Sequence, residues 1–132
     1  MAWKRLIPML SVRDLKRTIA FYREELGFEL VASFGDPEPV WCHLKRDQTH
    51  FMFNAPGESD LEAIPARARD FQIFYIYPDD VTVLHGDLAA KGLSVTPLRI
   101  TLYGMREFEL RDPDGHWLWF GETTTEPPTL SE

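Results

Sequence analysis

The chain has 132 residues, with 14 Lys or Arg against 21 Asp or Glu, a formal charge of −7. That length holds one ordinary domain or two tightly fused half-size modules, and 44% apolar with 27% charged residues excludes a disordered chain. The lone Cys42 excludes an internal disulfide framework and a zinc site built mainly from thiolates. No cluster of Lys and Arg is present to replace counterions on a nucleic acid. No run of about 18 apolar residues is available to span a membrane. Residues 1–8 lack the apolar run and small-residue cleavage site of a secretion signal, so a reduced, cytoplasmic setting is expected.

Residues 5–12 (RLIPMLSV) read as a strand, with Pro8 marking an edge or bulge. Asp14 stands where a helix N-cap belongs, and Leu15, Ile19, Tyr22 and Leu26 recur at helical spacing over residues 14–25. Gly27 follows as the residue that leaves the helix with positive φ. Residues 28–34 read as a strand, residues 35–39 as a turn, and residues 40–45 with 49–54 as a hairpin. Residues 55–69, rich in Pro, Ala and charge, read as a linker with at most a short helical turn. Residues 71–77 (FQIFYIY) form a strongly apolar strand, and Pro78-Asp79-Asp80 opens a second helix that Gly92 ends. Residues 94–100 give a weak strand, and residues 105–111 with 116–121 a hairpin around Asp112-Pro113-Asp114-Gly115. The remainder reads as a flexible tail.

The two halves echo one another. Val12-x-Asp14 matches Tyr77-x-Asp79, and Leu26-Gly27-Phe28 matches Lys91-Gly92-Leu93, both at an offset of 65; residues 45–53 match 111–119 at 66. Each half reads strand–helix–strand–strand–strand. The expected boundaries are 1–54 for the first module, 55–69 for the linker, 70–122 for the second module and 123–132 for the tail.

Two stretches, IPMLSVRDLKRTIAFYREELGFEL (residues 7–30) and GMREFELRDPDGHWLWFGE (residues 104–122), resemble the vicinal oxygen chelate superfamily, the glyoxalase/bleomycin-resistance/dioxygenase group. The first resembles that family's opening strand and helix, the second its closing hairpin with an Asp-Pro-x-Gly turn. The resemblance implies an α+β fold of two tandem βαβββ modules, whose curved mixed sheets enclose a cleft. It also implies work as a homodimer.

Metalloenzymes of that family place His, Gln or Glu on the first and last strand of each module. Carried across, those positions fall on Ile7, Gln72 and Trp119, and on Phe53 (or Phe51). Only Gln72 has a usable lone pair for a divalent ion. The expectation is therefore no metal, no cofactor and no catalytic residue, with the nearest resemblance to the metal-free bleomycin-resistance branch. An enzyme of the same superfamily, lyase or dioxygenase-like, and a metabolite-binding regulatory module are the alternatives.

Strand alternation sorts the faces. With Ile7 inward, Arg5 and Met9 follow, and Leu6, Leu10 and Val12 pack beneath the first helix. The cleft is then lined by Trp41, His43, Phe51, Phe53, Gln72, Phe74, Glu107, Glu109, Trp117 and Trp119. Phe51 and Phe74 divide evenly between cleft and core, and His43 between cleft and a satisfied structural histidine. Glu107 and Glu109 read as acid–base groups, as a solvated edge, or as partners of Arg106 or Arg111. His50 and His116 read as equivalent residues just past their turns, and Cys42 as a small buried apolar residue. Aromatic faces beside carboxylates suit a small cationic or aromatic ligand. The expected function is metal-independent binding and sequestering of a drug-like molecule, of bleomycin type among others.

Overall fold

Two aspartates fix where the main helices begin. Asp14 Oδ1 accepts from Arg17 N at 3.2 Å, and Asp80 Oδ1 accepts from Val83 N at 3.0 Å. Each thereby satisfies a backbone donor that a first helical turn leaves free. In the computed structural model, which describes residues 1–63 and 65–129, these caps sit in two compact units, Met1–Pro65 and Ala66–Glu132.

The first unit runs β1 (Met9–Ser11), α1 (Leu15–Ala20), β2 (Glu29–Phe34), β3 (Trp41–Arg46), β4 (Thr49–Asn54) and α2 (Glu58–Glu62). The second runs β5 (Ile73–Ile76), α3 (Val81–Ala90), β6 (Arg99–Ile100), β7 (Met105–Arg111) and β8 (Trp117–Thr123). The sheets are ordered β1-β4-β3-β2 and β5-β8-β7-β6, so each unit is a βαβββ module. The first strand is parallel to the last and the other pairings are antiparallel. This is the expected α+β architecture. Residues 55–69, read as a linker, carry α2 and the start of a 3₁₀ turn, Ala66–Phe71. Among the described residues no helix is long and apolar enough to cross a membrane.

Each sheet has one face against its helix. In the first unit that face is Leu10, Cys42, Leu44, Phe51 and Phe53, closed by Val12, Leu15, Tyr22, Leu26 and Phe28. Tyr22 is fully buried, with Phe53 at 4.8 Å, Phe28 at 5.3 Å and Phe51 at 5.8 Å between ring centroids. In the second unit Phe108 stacks on Phe120 at 5.0 Å, with Leu110, Leu118, Val81 and Leu88 around them. Leu6, expected beneath the first helix, is 86% exposed, because β1 begins only at Met9.

The repeat has a different register from the one its motifs suggest. The N-caps Asp14 and Asp80 stand 66 apart, as do Met9 and Tyr75, the ladder partners of Met52 and Trp119. The glycines that end the helices, Gly27 (φ +72) and Gly92 (φ +84), stand 65 apart. The difference is taken up by one wide π turn, Phe21–Glu25, at the end of the first helix, where Leu26 N donates to Phe21 O. A second change comes at the hairpins. Lys45 faces His50 across β3–β4, whereas Arg111 faces Trp117 across β7–β8, so the second connection is one residue longer.

The described end of the chain is tied to the second sheet. Thr124 N donates to Gly104 O and Thr129 N to Ile100 O, both at 3.0 Å, and Arg106 pairs with Glu126. Residues 130–132 of the expected tail lie outside the described residues.

Candidate functional site

A one-residue slip in register moves every side chain of a strand to the other face. That is what separates the expected cleft set. Phe51 and Phe53 are 2% and 0% exposed on the helix face, packed on Tyr22, so they serve the core. Phe74 is the ladder partner of buried Leu118, again on the helix side. Gln72 precedes β5 and is exposed. The far face of the first sheet instead presents Met9, Met52, Trp41 and His43, with His50 beside them. That of the second presents Tyr75, Trp119, Trp117, Glu107 and Glu109. Six of the ten expected residues thus stand on far faces: Trp41 and His43 in the first unit, and Glu107, Glu109, Trp117 and Trp119 in the second.

The second unit's far face is organised around Glu107, which is fully buried. A buried carboxylate needs its charge met by donors. Tyr75 Oη donates to Glu107 Oε1 at 2.9 Å and Tyr103 Oη to the same oxygen at 2.7 Å. Arg99 Nη2 lies 2.7 Å from Glu107 Oε2 and 2.7 Å from Glu109 Oε2. The guanidinium also sits over the Trp119 ring, 5.4 Å from its centroid. Burial and the hydrogen bond to Glu107 both hold the Tyr75 phenol well above the usual tyrosine range. The same two causes raise Tyr103. Burial works against the Arg99 charge, but Glu107 and Glu109 more than restore it. Gly121 makes the arrangement fit: a Cβ there would run into the Tyr75 hydroxyl.

Two donors in this cluster lack acceptors. Arg99 Nε and Trp119 Nε1 are buried with no hydrogen-bond partner among the described residues. Such an orphaned group costs about 1–3 kcal/mol. Sequence reasoning missed Arg99, Tyr75 and Tyr103, and paired the glutamates with Arg106 or Arg111. Arg106 pairs with Glu126 instead. Arg111 binds Asp70 at 2.8 Å and covers the Trp117 ring at 3.3 Å. The faces of Trp119 and Trp117, expected to attract a cationic ligand, are thus met by the chain's own arginines. The signal for Tyr75 lay in Asp80: counting from that cap gives Tyr75, not Phe74, the position in its own module that Met9 has in the first.

In the first unit His43 Nε2 and His50 Nδ1 share a hydrogen bond of 2.8 Å. Burial, then Arg5, His43 and Lys45, lower the His50 pKa. His116 is not the equivalent of His50. It is 4% exposed, and its Nδ1 shares a 2.8 Å hydrogen bond with Asp112 Oδ2. Asp112 Oδ1 accepts from the backbone of Asp114 and His116, so this pair builds the turn. Cys42 is buried, and burial pushes its thiol up to about 11. A shallow depression of about 540 Å³ lies elsewhere, along α1, lined by Lys16, Ile19, Ala20, Arg23, Glu24 and Phe28.

These far faces do not fit a divalent ion. Their first and last strands offer thioethers at Met9 and Met52, one imidazole at His50 already bonded to His43, indoles at Trp117 and Trp119, and a phenol already committed to Glu107. Hard and borderline cations take carboxylate, imidazole or amide donors in sets. Among the described residues no three His, Cys, Asp or Glu side chains stand together to hold a metal ion.

Comparison with known proteins gives one family model, described as the Glyoxalase/Bleomycin resistance protein/Dioxygenase superfamily, matching residues 7–120. A search of curated proteins gives no match. Among solved structures, a protein of unknown function from Agrobacterium tumefaciens is 28% identical with a TM-score of 0.70, covering 93% of this chain and 96% of that one. A lactoylglutathione lyase from Agrobacterium tumefaciens is 26% identical with a TM-score of 0.69, covering 92% and 95%. A bleomycin-binding protein from Streptomyces verticillus, complexed with copper(II)-bleomycin, is 24% identical with a TM-score of 0.68, covering 96% and 99%. At that identity the last likeness carries the fold alone.

Proposed function

The chain belongs to the Glyoxalase/Bleomycin resistance protein/Dioxygenase superfamily, and on that premise we propose that it binds and sequesters a small, planar aromatic molecule of drug or antibiotic type without metal chemistry. The observation that carries this reading is the pairing of Met9 with Met52 and of Tyr75 with Trp119 on the far faces. These positions offer polarisable and aromatic surface where a divalent metal centre would need carboxylate, imidazole or amide donors. Each ring stacked on a ligand contributes about 0.5–1.5 kcal/mol beyond burial. The proposed ligand contacts, each taken on its own unit's far face, are Trp41 and His43 in the first unit and Trp117, Trp119 and the glutamate cluster in the second. We further propose that the working form is a homodimer in the cytoplasm.

The test joins metal analysis to titration. Purified protein carrying nickel, zinc, manganese or iron near one per chain overturns the reading. Saturable quenching of tryptophan fluorescence by bleomycin or by a flat aromatic antibiotic supports it. Trp119→Ala then weakens capture with the fold retained. A mass near that of one chain in light scattering at micromolar concentration removes the dimer.

Buried Glu107, fixed by two tyrosines, favours a second reading as a superfamily enzyme. A fixed carboxylate that aligns tyrosine hydroxyls can orient the polar edge of a reacting molecule. Recovery of the captured molecule in chemically altered form, by mass spectrometry, decides for the enzyme.

A further inference from the structure

We propose that Arg99 determines ligand specificity: it fills, from within the chain, the cation place on the far face of the second sheet. That face therefore turns away cationic ligands and takes planar ligands that carry a hydrogen-bond acceptor. This rests on the reading that the far faces bind a ligand.

Recognition of a guanidinium takes carboxylate oxygens in reach of its N–H groups and a flat π surface beneath it. Both are present, and Arg99 already uses them. Its Nη2 is 2.7 Å from Glu107 Oε2 and from Glu109 Oε2, and its charge lies over Trp119. Tyr75 and Tyr103 occupy the remaining Glu107 oxygen. A second cation would meet Glu107 oxygens already bound, a Glu109 already paired and an indole already covered. The neighbouring indole, Trp117, is covered in the same way by Arg111, which Asp70 and Gly115 O hold in place. A cation from solution must therefore displace Arg99.

What the cluster has in excess is donors. Arg99 Nε and Trp119 Nε1 belong to side chains that lie one over the other, and neither has an acceptor among the described residues. A flat ligand with a carboxylate or carbonyl edge complements that pair and extends the stack. A ligand with an amidinium edge brings more donors to a place that lacks acceptors.

Benzoate and benzamidinium share a ring and differ in the sign of the planar group, so they isolate the effect. Each is titrated into the full chain while the Trp119 indole N–H resonance is followed. With the unaltered protein, benzoate is expected to bind at least tenfold more tightly than benzamidinium. In Arg99→Ala the order reverses, with benzamidinium gaining at least tenfold. Because that variant leaves a buried carboxylate unpaired, Arg99→Ala with Glu107→Gln is run beside it. The double variant is expected to lose the benzoate preference without gaining affinity for benzamidinium. Equal affinities for the two probes in the unaltered protein overturn the inference. So does benzamidinium binding that Arg99→Ala leaves unchanged. Capture of bleomycin or another aromatic probe with no charge preference sinks this inference and leaves the sequestering reading standing. Failure of every probe to bind sinks both.

Discussion

On the far face of the first sheet stand Met9, Met52, Trp41, His43 and, on the edge strand, Phe34. The same ladder positions in the second sheet hold Tyr75, Trp119, Glu107, Glu109 and Arg99. One backbone plan thus carries two chemistries. The first face is apolar with a histidine pair, and its edge residue Phe34 is 72% exposed. The second has turned the same places into an ionic cluster around buried Glu107, in which each charge has a named partner. βαβββ pairing thus fixes positions only, and side chains at matching positions decide what a face can hold.

The contrast predicts an asymmetry in mutational cost. Arg99→Ala strips a buried carboxylate of its cation and is expected to destabilise the second unit by about 3–5 kcal/mol. Its counterpart Phe34→Ala is expected to change stability by no more than about 0.5 kcal/mol in the isolated chain. Urea denaturation, with hydrogen exchange to assign the loss to a unit, reads both. Equal effects would break the comparison.

Gly121→Ala comes next. The new methyl meets the Tyr75 hydroxyl, so a loss of about 1–3 kcal/mol is expected. The counterpart Asn54→Ala removes the bond accepted from Ser11 Oγ at 3.2 Å, worth about 0.5–1.5 kcal/mol. Thermal melts of the two variants rank them. Where the units agree, so should the variants. Asp14→Ala and Asp80→Ala each remove one N-cap bond and are each expected to cost about 1 kcal/mol.

The smallest effect is in pH dependence, and it has opposite sign in the two units. Folding raises the Tyr75 pKa from its ordinary 10.0. Its contribution is therefore complete below pH 10 and fades as pH rises further. Folding lowers the His50 pKa from 6.5. Its contribution is complete above that value and fades as pH falls. Tyr75→Phe should flatten the alkaline arm alone and His50→Ala the acid arm alone, in denaturation series across pH.

The elements were legible because their punctuation is local. Asp14, Gly27, Asp80 and Gly92 mark helix ends by their own side chains, or by the lack of one. The faces were legible only in part. Phe51, Phe53 and Phe74 have the same alternation whichever way a strand is turned. The turn was decided by the longer β7–β8 connection and by the extra helical residue near Phe21. Trp117, Trp119, Glu107 and Glu109 kept their expected sharing of one face, since ladder partners such as Glu109–Trp119 follow from the hairpin itself. Arg99 escaped notice for a different reason. It lies on a two-residue strand whose alternation is too short to read, and its partners Glu107 and Glu109 are brought to it only by pairing of β6 with β7.

Gly121 would ordinarily be read as a weak spot in β8. Here its bare backbone is a mould for the neighbouring strand. The phenol of Tyr75 settles into the space a methyl group would take, and from there it reaches Glu107. Seated against that carboxylate, it keeps its proton under conditions where a tyrosine in water would give it up. The smallest residue of one strand thereby governs the ionisation of the largest polar ring on the next.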